Sequence, residues 1–187
     1  MKTLAFKSPG AFRGWLEKNH AGREGLWMRI FKKDSGRKSI TYAEALDQSL
    51  CFGWIDGQKQ ARDELSWLQK FTPRRAGSSW SKVNTGHVQR LIKTARMTPA
   101  GLEVVEAARA DGRWQAAYDS PRAAAPPEDF LQALEANNNA KAVFATLNKA
   151  NVYAIVYRLQ TARKPETRER RLRQILEMLG RGERFHP

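Results

Sequence analysis

Apolar side chains at the start of the chain recur first with helical and then with strand spacing. Phe12, Trp15 and Leu16 stand at i, i+3 and i+4, which is the spacing of one helix face. Ser8-Pro9 before them has the order of an N-cap followed by proline at the first helical position. The run GLWMRIFKK at 25–33 is typical of a strand, and DSGR at 34–37 is typical of a turn. This segment therefore predicts a helix followed by a strand.

A second helix is indicated from residue 41. Thr41 and Glu44 have the spacing of a capping box, and the positions that follow form a small and apolar stripe of Ala45, Leu46, Ser49 and Leu50. Cys51 and Phe52 are expected to close this helix, because Gly53 suits the left-handed position just past a helix end.

Two strands are predicted after this helix. Trp54-Ile55-Asp56 begins the first, and SWLQKFTPRR at 66–75 is the second, which can pair with the first across the ARDEL turn region. With the strand at 25–33, these segments predict a small antiparallel sheet flanked by helices.

Helical spacing dominates the rest of the chain. Val88, Leu91, Ile92 and Ala95 share one predicted helix face, and Thr98-Pro99 caps the next helix. Residues 119–129, DSPRAAAPPED, are rich in proline and alanine, which favours a linker. We expect an α+β domain over 1–118, a linker over 119–129, and a C-terminal helical unit over 130–187 that packs on the first domain.

The composition predicts a folded, cytosolic protein. With 187 residues, 41% of them hydrophobic, and with six Trp and eight Phe, the chain can bury a substantial core. No apolar run approaches the roughly 18 residues that cross a bilayer, and the first 15 residues contain no secretory hydrophobic region. The one cysteine, Cys51, is expected to be a buried and inert thiol.

Positive charge is the most pronounced global property. The formal net charge is +14, and residues 57–96 hold nine Lys or Arg against two carboxylates, a net charge of +7. Such charge attracts polyanions and acidic ligands. Two interpretations account for this positive charge: a generally basic, solvated surface, or a localised anion site.

The stretch FTPRRAGSSWS offers chemistry for such a site. Arg74 and Arg75 follow a strand end, Ser79 and Ser81 add hydroxyl groups near a helix N-terminus, and Trp80 can stack on a planar ligand. Structural roles account for the same residues equally well: a serine caps the helix, Trp80 anchors the core, and one arginine pairs with an acid.

Asp56 is the acid that this alternative requires. Beside Trp54 at a strand end, it either orients a ligand or bonds the turn backbone while Trp54 fills the core. The predicted ligand-binding set is Trp54, Asp56, Lys59, Arg74, Arg75, Ser79, Trp80, Ser81 and Asn84. We expect this set to bind a small anionic or planar ligand, and the alternative is nucleic-acid association, without sequence specificity, through a basic surface.

A possible secondary basic face is formed by Arg168 and Arg171, which lie three apart on a predicted helix. Glu166 and Glu169 beside them equally favour a solvated charged surface. The spacing of residues predicts no metal site and no cofactor, and it assigns no catalytic residue. An enzyme that uses Asp56 as a general base is the last-ranked alternative, because one carboxylate without a nucleophile or metal defines no reaction.

Four stretches together resemble the YdeI/OmpD-associated family, also called bacteriocin-protection proteins. They are SITYAEALDQSLCFGWIDGQKQ, FTPRRAGSSWSKVN, MTPAGLEVVEAARADGRW and ETRERRLRQIL. The resemblance implies a part in bacteriocin or stress tolerance. Because the N-terminal sequence lacks an export signal, we expect that contribution to be cytosolic.

Overall fold

The computed structural model describes residues 1–187, which divide into two compact units. The first unit comprises 1–78 and 86–110, and the second comprises 79–85 and 111–187. Residues 119–127 form no helix or strand. Their function as a linker, and the domain boundary at residue 118, stay predictions.

The first unit contains a four-stranded sheet in the order β1-β2-β4-β3. The strands are β1 (Lys2–Leu4), β2 (Leu26–Phe31), β3 (Trp54–Asp63) and β4 (Ser66–Pro73). The antiparallel pairing holds for β2, β4 and β3, but β1 runs parallel to β2, so the sheet is mixed. The sequence did not indicate β1, because three residues are too short to establish an alternating pattern.

Helices in this part of the chain begin where local signals predict. They are α1 (Pro9–Asn19), α2 (Tyr42–Cys51), α3 (Lys82–Lys93) and α4 (Pro99–Ala110), with a 3₁₀ turn at Lys33–Ser35. The hydroxyl of Ser8 caps α1, Thr41 and Glu44 form the expected capping box of α2, and Gly53 has the left-handed φ of 71°. The first turn of α3 belongs to the second unit.

One face of the sheet forms the core of the first unit. Met28 and Ile30 of β2 and Phe71 of β4 are buried there, and Phe71 lies 5.9 Å from the ring of Phe12 on α1. Trp54 is also buried, and its indole N–H donates to the carbonyl of His20 at 3.0 Å. The opposite face therefore carries the alternate, half-exposed side chains of β2 and β4.

The second unit is helical, and the predicted α+β class with a helical C-terminal part is confirmed. Its helices are α5 (Glu128–Glu135), α6 (Asn138–Ala145), α7 (Lys149–Gln160) and α8 (Pro165–Gly180). They enclose a core of Phe130, Leu134, Ala140, Ile155, Leu159, Ile175 and Leu179. No helix has the length and apolar character required to traverse a bilayer.

Candidate functional site

A basic pocket of about 540 Å³ opens at the end of β4 in the first unit. Four cationic side chains line it, against the single carboxylate of Glu24; they are Arg23, Lys70, Arg74 and Arg75. Arg23 and Arg75 are exposed, and Lys70 and Arg74 are half-buried. Like charges in one pocket repel one another, so a bound anion lowers the electrostatic free energy there.

The alternation of β4 explains how its side chains reach the pocket. Phe71 points into the core, so Lys70 and Thr72 project from the opposite face of the sheet. The β3–β4 ladder ends where Trp54 pairs with Pro73. Immediately beyond it, the backbone N–H of Arg74 donates to the carbonyl of Gly53 at 3.0 Å, which fixes the path of the chain that carries the two arginines.

Gly25 allows the other wall of the pocket to come close. A Cβ at this position would lie 2.5 Å from Cγ2 of Thr72 and would also meet the carbonyl oxygen of Phe71. The start of β2 can approach β4 this closely only without a side chain. Arg23 and Glu24, which precede Gly25, are thereby held beside the end of β4.

Asp56 does not line this pocket. It pairs with Phe71 across β3 and β4, and residues directly opposite in an antiparallel pair project to the same face. Its carboxylate accepts a hydrogen bond from the hydroxyl of Tyr42 at 2.8 Å. The sequence left open an ion pair between Asp56 and an arginine. In the structure, the carboxylate of Asp56 instead bonds to Tyr42 of α2.

Two other residues of the predicted set lie elsewhere in the first unit. Trp54 fills the core, as its structural interpretation requires. Lys59 is exposed on β3, and its ammonium group lies 5.2 Å from the ring centroid of Trp67. The sequence-predicted set therefore brings only Arg74 and Arg75 into the basic pocket.

The remaining predicted residues belong to the second unit. Trp80 is 2% exposed, and its ring lies 5.0 Å from that of Trp114. The hydroxyl of Ser81 accepts from the backbone N–H of Asn84 at 3.1 Å, which caps α3, and Ser79 borders a cavity of only about 10 Å³. In this unit, Trp80 and Ser81 thus have the core and cap positions of the structural alternative.

Two family models match the chain. Residues 4–104 match a domain of unknown function, DUF8412. Residues 123–182 match the model described as bacteriocin-protection, YdeI or OmpD-associated.

The chain belongs to the DUF8412 family. Residues 123–182 match the YdeI/OmpD-associated model, which confirms the resemblance. Of the four stretches that carried the resemblance, only ETRERRLRQIL lies within that match; the others lie before it. Comparison with curated proteins and with solved structures found no match.

Arg168 and Arg171 have structural contacts inside the second unit. Nη1 of Arg168 donates to the carbonyl of Leu159 at 3.0 Å, and its Nη2 lies 2.7 Å from both carboxylate oxygens of Asp129. Nη1 of Arg171 donates to the carbonyl of Arg158 at 2.6 Å. These bonds satisfy carbonyl groups in the last turn of α7, which a helix leaves without intrahelical partners.

The DUF8412 domain contains a second charged cluster that the sequence did not reveal. Asp47 on α2 is 13% exposed, and its carboxylate lies 2.6 Å from Nη2 of Arg90 and 3.4 Å from Nη1 of Arg96. His87 lies 3.5 Å from the same carboxylate. The partners are separated from Asp47 by about 40 to 50 residues along the chain, so no local spacing signals them.

Arg23 and Lys70 were also missed as pocket residues. Lys70 had a usable signal, because alternation along the predicted strand places it on the same face as Thr72 and Arg74. The sequence contained no signal for Arg23, because the position of Arg23 depends on the pairing of Leu26 with Phe71 across two strands that are distant in sequence.

Proposed function

We propose that the protein binds a small phosphate- or carboxylate-bearing ligand in the basic pocket of the DUF8412 domain. The observation that carries the proposal is the convergence of Arg23, Lys70, Arg74 and Arg75 on one pocket of about 540 Å³. Small-molecule sites typically occupy about 300–1,000 Å³. A ligand of a few to a few tens of atoms fits that space.

The residue types favour an oxyanion. An arginine guanidinium presents parallel N–H groups that match a carboxylate or phosphate, and lysine adds a compact charge. Glu24 also lines the pocket, and its carboxylate repels anions, so the attraction of the pocket for anions is not purely non-selective. The pocket supplies donors and positive charge, and the role that we assign to it is therefore binding.

Isothermal titration with phosphate, pyrophosphate and citrate tests this proposal. Arg75→Ala and Lys70→Ala each remove one charge-assisted hydrogen bond, and we expect the affinity for the best of these anions to fall about tenfold or more. Arg62→Ala is the matched control, because Arg62 is an exposed cation on β3 that does not line the pocket. Equal losses in all three variants, or no binding of any anion by the native protein, would contradict the proposal.

We place this binding in the cytosol and connect it with bacteriocin or stress tolerance. The match of residues 123–182 to a family described as bacteriocin-protection supports that connection. Cells that produce Arg75→Ala are expected to survive a bacteriocin challenge no better than cells lacking the protein, whereas Arg62→Ala should protect like the native chain. Full protection by Arg75→Ala would show that tolerance does not depend on anion binding in the basic pocket.

Nucleic-acid association is a second candidate, and the outer face of the sheet supports it. Aromatic rings and cations alternate there: Nζ of Lys70 lies 5.8 Å from the ring of Trp27, and Cζ of Arg29 and of Arg37 lie 4.5 and 5.3 Å from the ring of Phe31. Rings that stack on bases, next to cations that contact phosphates, are the combination that single-strand-binding surfaces use.

Retention of a labelled single-stranded oligonucleotide at increasing salt tests this second candidate. Each phosphate contact contributes roughly 0.7 to the slope of log affinity against log salt concentration for a single strand. Phe31→Ala and Arg37→Ala should both weaken retention, and Lys93→Ala, which removes an exposed cation from α3, should not. Salt-independent retention, or none at low salt, would eliminate this candidate.

A further inference from the structure

A second pocket, of about 750 Å³, lies within the second unit. It is bordered by α7, α8 and the residues that follow α8. Apolar groups from Ile175, Met178 and Phe185 line it together with three guanidinium groups, those of Arg158, Arg171 and Arg181, against the single carboxylate of Glu177. The remaining lining is polar, from Tyr157, Thr161 and Gln174. A pocket that is both apolar and cationic favours a ligand with both characters.

A buried asparagine holds the apolar end of this pocket in place. Asn151 on α7 is 1% exposed, and its side chain accepts from the backbone N–H of His186 at 2.9 Å and donates to the carbonyl of His186 at 3.1 Å. This two-way bond fixes the chain after α8. Phe185, one residue earlier, is thereby positioned with its ring centroid 3.7 Å from Cζ of Arg158.

The arginines are oriented by the protein while they retain donors for a ligand. Arg158 donates from Nη1 to the carbonyl of Ala154 at 3.1 Å, and Arg171 donates from Nη1 to the carbonyl of Arg158 at 2.6 Å and to the hydroxyl of Thr161 at 3.2 Å. A guanidinium has five N–H groups, so each of these two side chains keeps further donors. Preorganised donors lose less conformational entropy when a ligand binds.

We propose that this pocket binds a small aromatic carboxylate. The carboxylate is held by Arg158 and Arg171, and the ring lies against Ile175, Met178 and Phe185. Methionine sulfur and aromatic edges make favourable contacts with a ring. A bare phosphate fits poorly, because it would stay strongly hydrated beside these apolar side chains. This chemistry differs from that of the basic pocket in the first unit.

Titration with 1-naphthoate, followed by calorimetry, tests the proposal. The native protein is expected to bind 1-naphthoate at least about tenfold more tightly than 1-naphthalenemethanol, which has the ring without the charge. Arg158→Gln should reduce naphthoate affinity about tenfold or more. Arg173→Gln is the control, because Arg173 is an exposed cation on α8 that does not line the pocket.

A second variant keeps the test decisive if Arg158→Gln fails to fold. Arg181 borders the pocket with a side chain that is 60% exposed, so Arg181→Glu should fold and should repel the carboxylate, again weakening binding several-fold. Arg75→Ala should bind naphthoate like the native chain, which separates this site from the basic pocket. Equal affinity for naphthoate and its neutral analogue, or native affinity in Arg181→Glu, would overturn the proposal.

Discussion

The hydrogen bond between Tyr42 and Asp56 joins the first turn of α2 to the start of β3. Burial, followed by the neighbouring Asp56 carboxylate, raises the pKa of the Tyr42 phenol well above its ordinary value. The protonated phenol is the donor. Because the folded pKa lies above the unfolded one, this contribution to stability is complete below the unfolded pKa and is lost only as pH rises through the folded pKa.

Tyr42→Phe should therefore lower the free energy of unfolding by about 1 kcal/mol, because the side chain keeps its packing but loses one hydrogen bond to a charged acceptor. Urea unfolding should give the same difference from the native protein across about pH 6 to pH 9, below the ordinary tyrosine pKa of about 10. If the difference in free energy of unfolding disappeared between about pH 6 and about pH 9, the protonated Tyr42 phenol would not be the donor of this bond.

Cys51 is buried, as the sequence predicted, and its inertness stays a prediction. Its side chain is 0% exposed, and burial raises the pKa of its thiol, although Arg96 and Arg13 act in the opposite direction. Only the thiolate reacts readily. A disulfide-exchange reagent at neutral pH should modify Cys51 slowly in the native protein and completely after denaturation. Rapid stoichiometric modification of the folded chain would contradict its burial.

At the scale of elements, α2 and α4 meet at a backbone contact. The carbonyl of Cys51, at the end of α2, accepts from both the backbone N–H and the hydroxyl of Thr98, at 3.0 and 2.7 Å. Gly101 on α4 then lies against that same carbonyl, and an added Cβ would also come within 2.9 Å of Cε of Met97. Glycine permits this close approach of two helices.

Gly101→Ala should consequently destabilise the protein by about 2 kcal/mol, since the steric cost exceeds the gain of roughly 1 kcal/mol in helix propensity. Gly14→Ala is the matched control: Gly14 lies inside α1 and has nothing within 4 Å of an added Cβ. The control should be neutral or stabilising. Thermal unfolding of both variants measures the difference, and equal stability would contradict the proposed contact.

Asp119 connects two elements of the second unit. Its carboxylate lies 2.8 Å from Nζ of Lys82 and accepts from the amide of Gln160 at 2.6 Å. The hydrogen bond from Lys82, with that from Gln160, lowers the pKa of Asp119 despite burial. Since the folded pKa is depressed, the contribution to stability is present above the unfolded pKa of about 4 and is lost as pH falls through the folded value.

Asp119→Asn is therefore expected to cost about 1 kcal/mol at neutral pH, where the native carboxylate is ionised. The difference between variant and native protein should narrow as the pH falls below about 4. Urea unfolding of the native protein and of Asp119→Asn, at neutral and at acidic pH, measures this difference in free energy of unfolding. A difference that does not change with pH would show that the charge of Asp119 contributes nothing.

Elements that depend on neighbouring residues could be predicted, and those that depend on distant pairing could not. The capping box at Thr41 and the turn at Gly53 are local, and both form as expected. The strand β1 and the contribution of Arg23 to the basic pocket require partners from other parts of the chain. Asp56 shows the same limit, because the face on which it lies is set by its pairing with Phe71.

The whole molecule carries a formal net charge of +14, so it attracts anions over much of its surface. Binding of an anion is therefore evidence for a specific site only if the position of the bound anion on the protein is determined. The structure distinguishes the basic pocket from the general surface by one property: four cations line a single concave site. A local site should bind with saturation, whereas the diffuse surface should respond mainly to ionic strength.

Mapping of backbone amide chemical shifts during titration with pyrophosphate shows whether the basic pocket is a localised anion site. We expect saturable shifts concentrated at residues 23–25 and 70–75, around the basic pocket, and none at Arg62 on the exposed part of β3. Shifts spread evenly over all Lys- and Arg-rich surfaces, or no shifts at residues 23–25 and 70–75, would contradict this expectation.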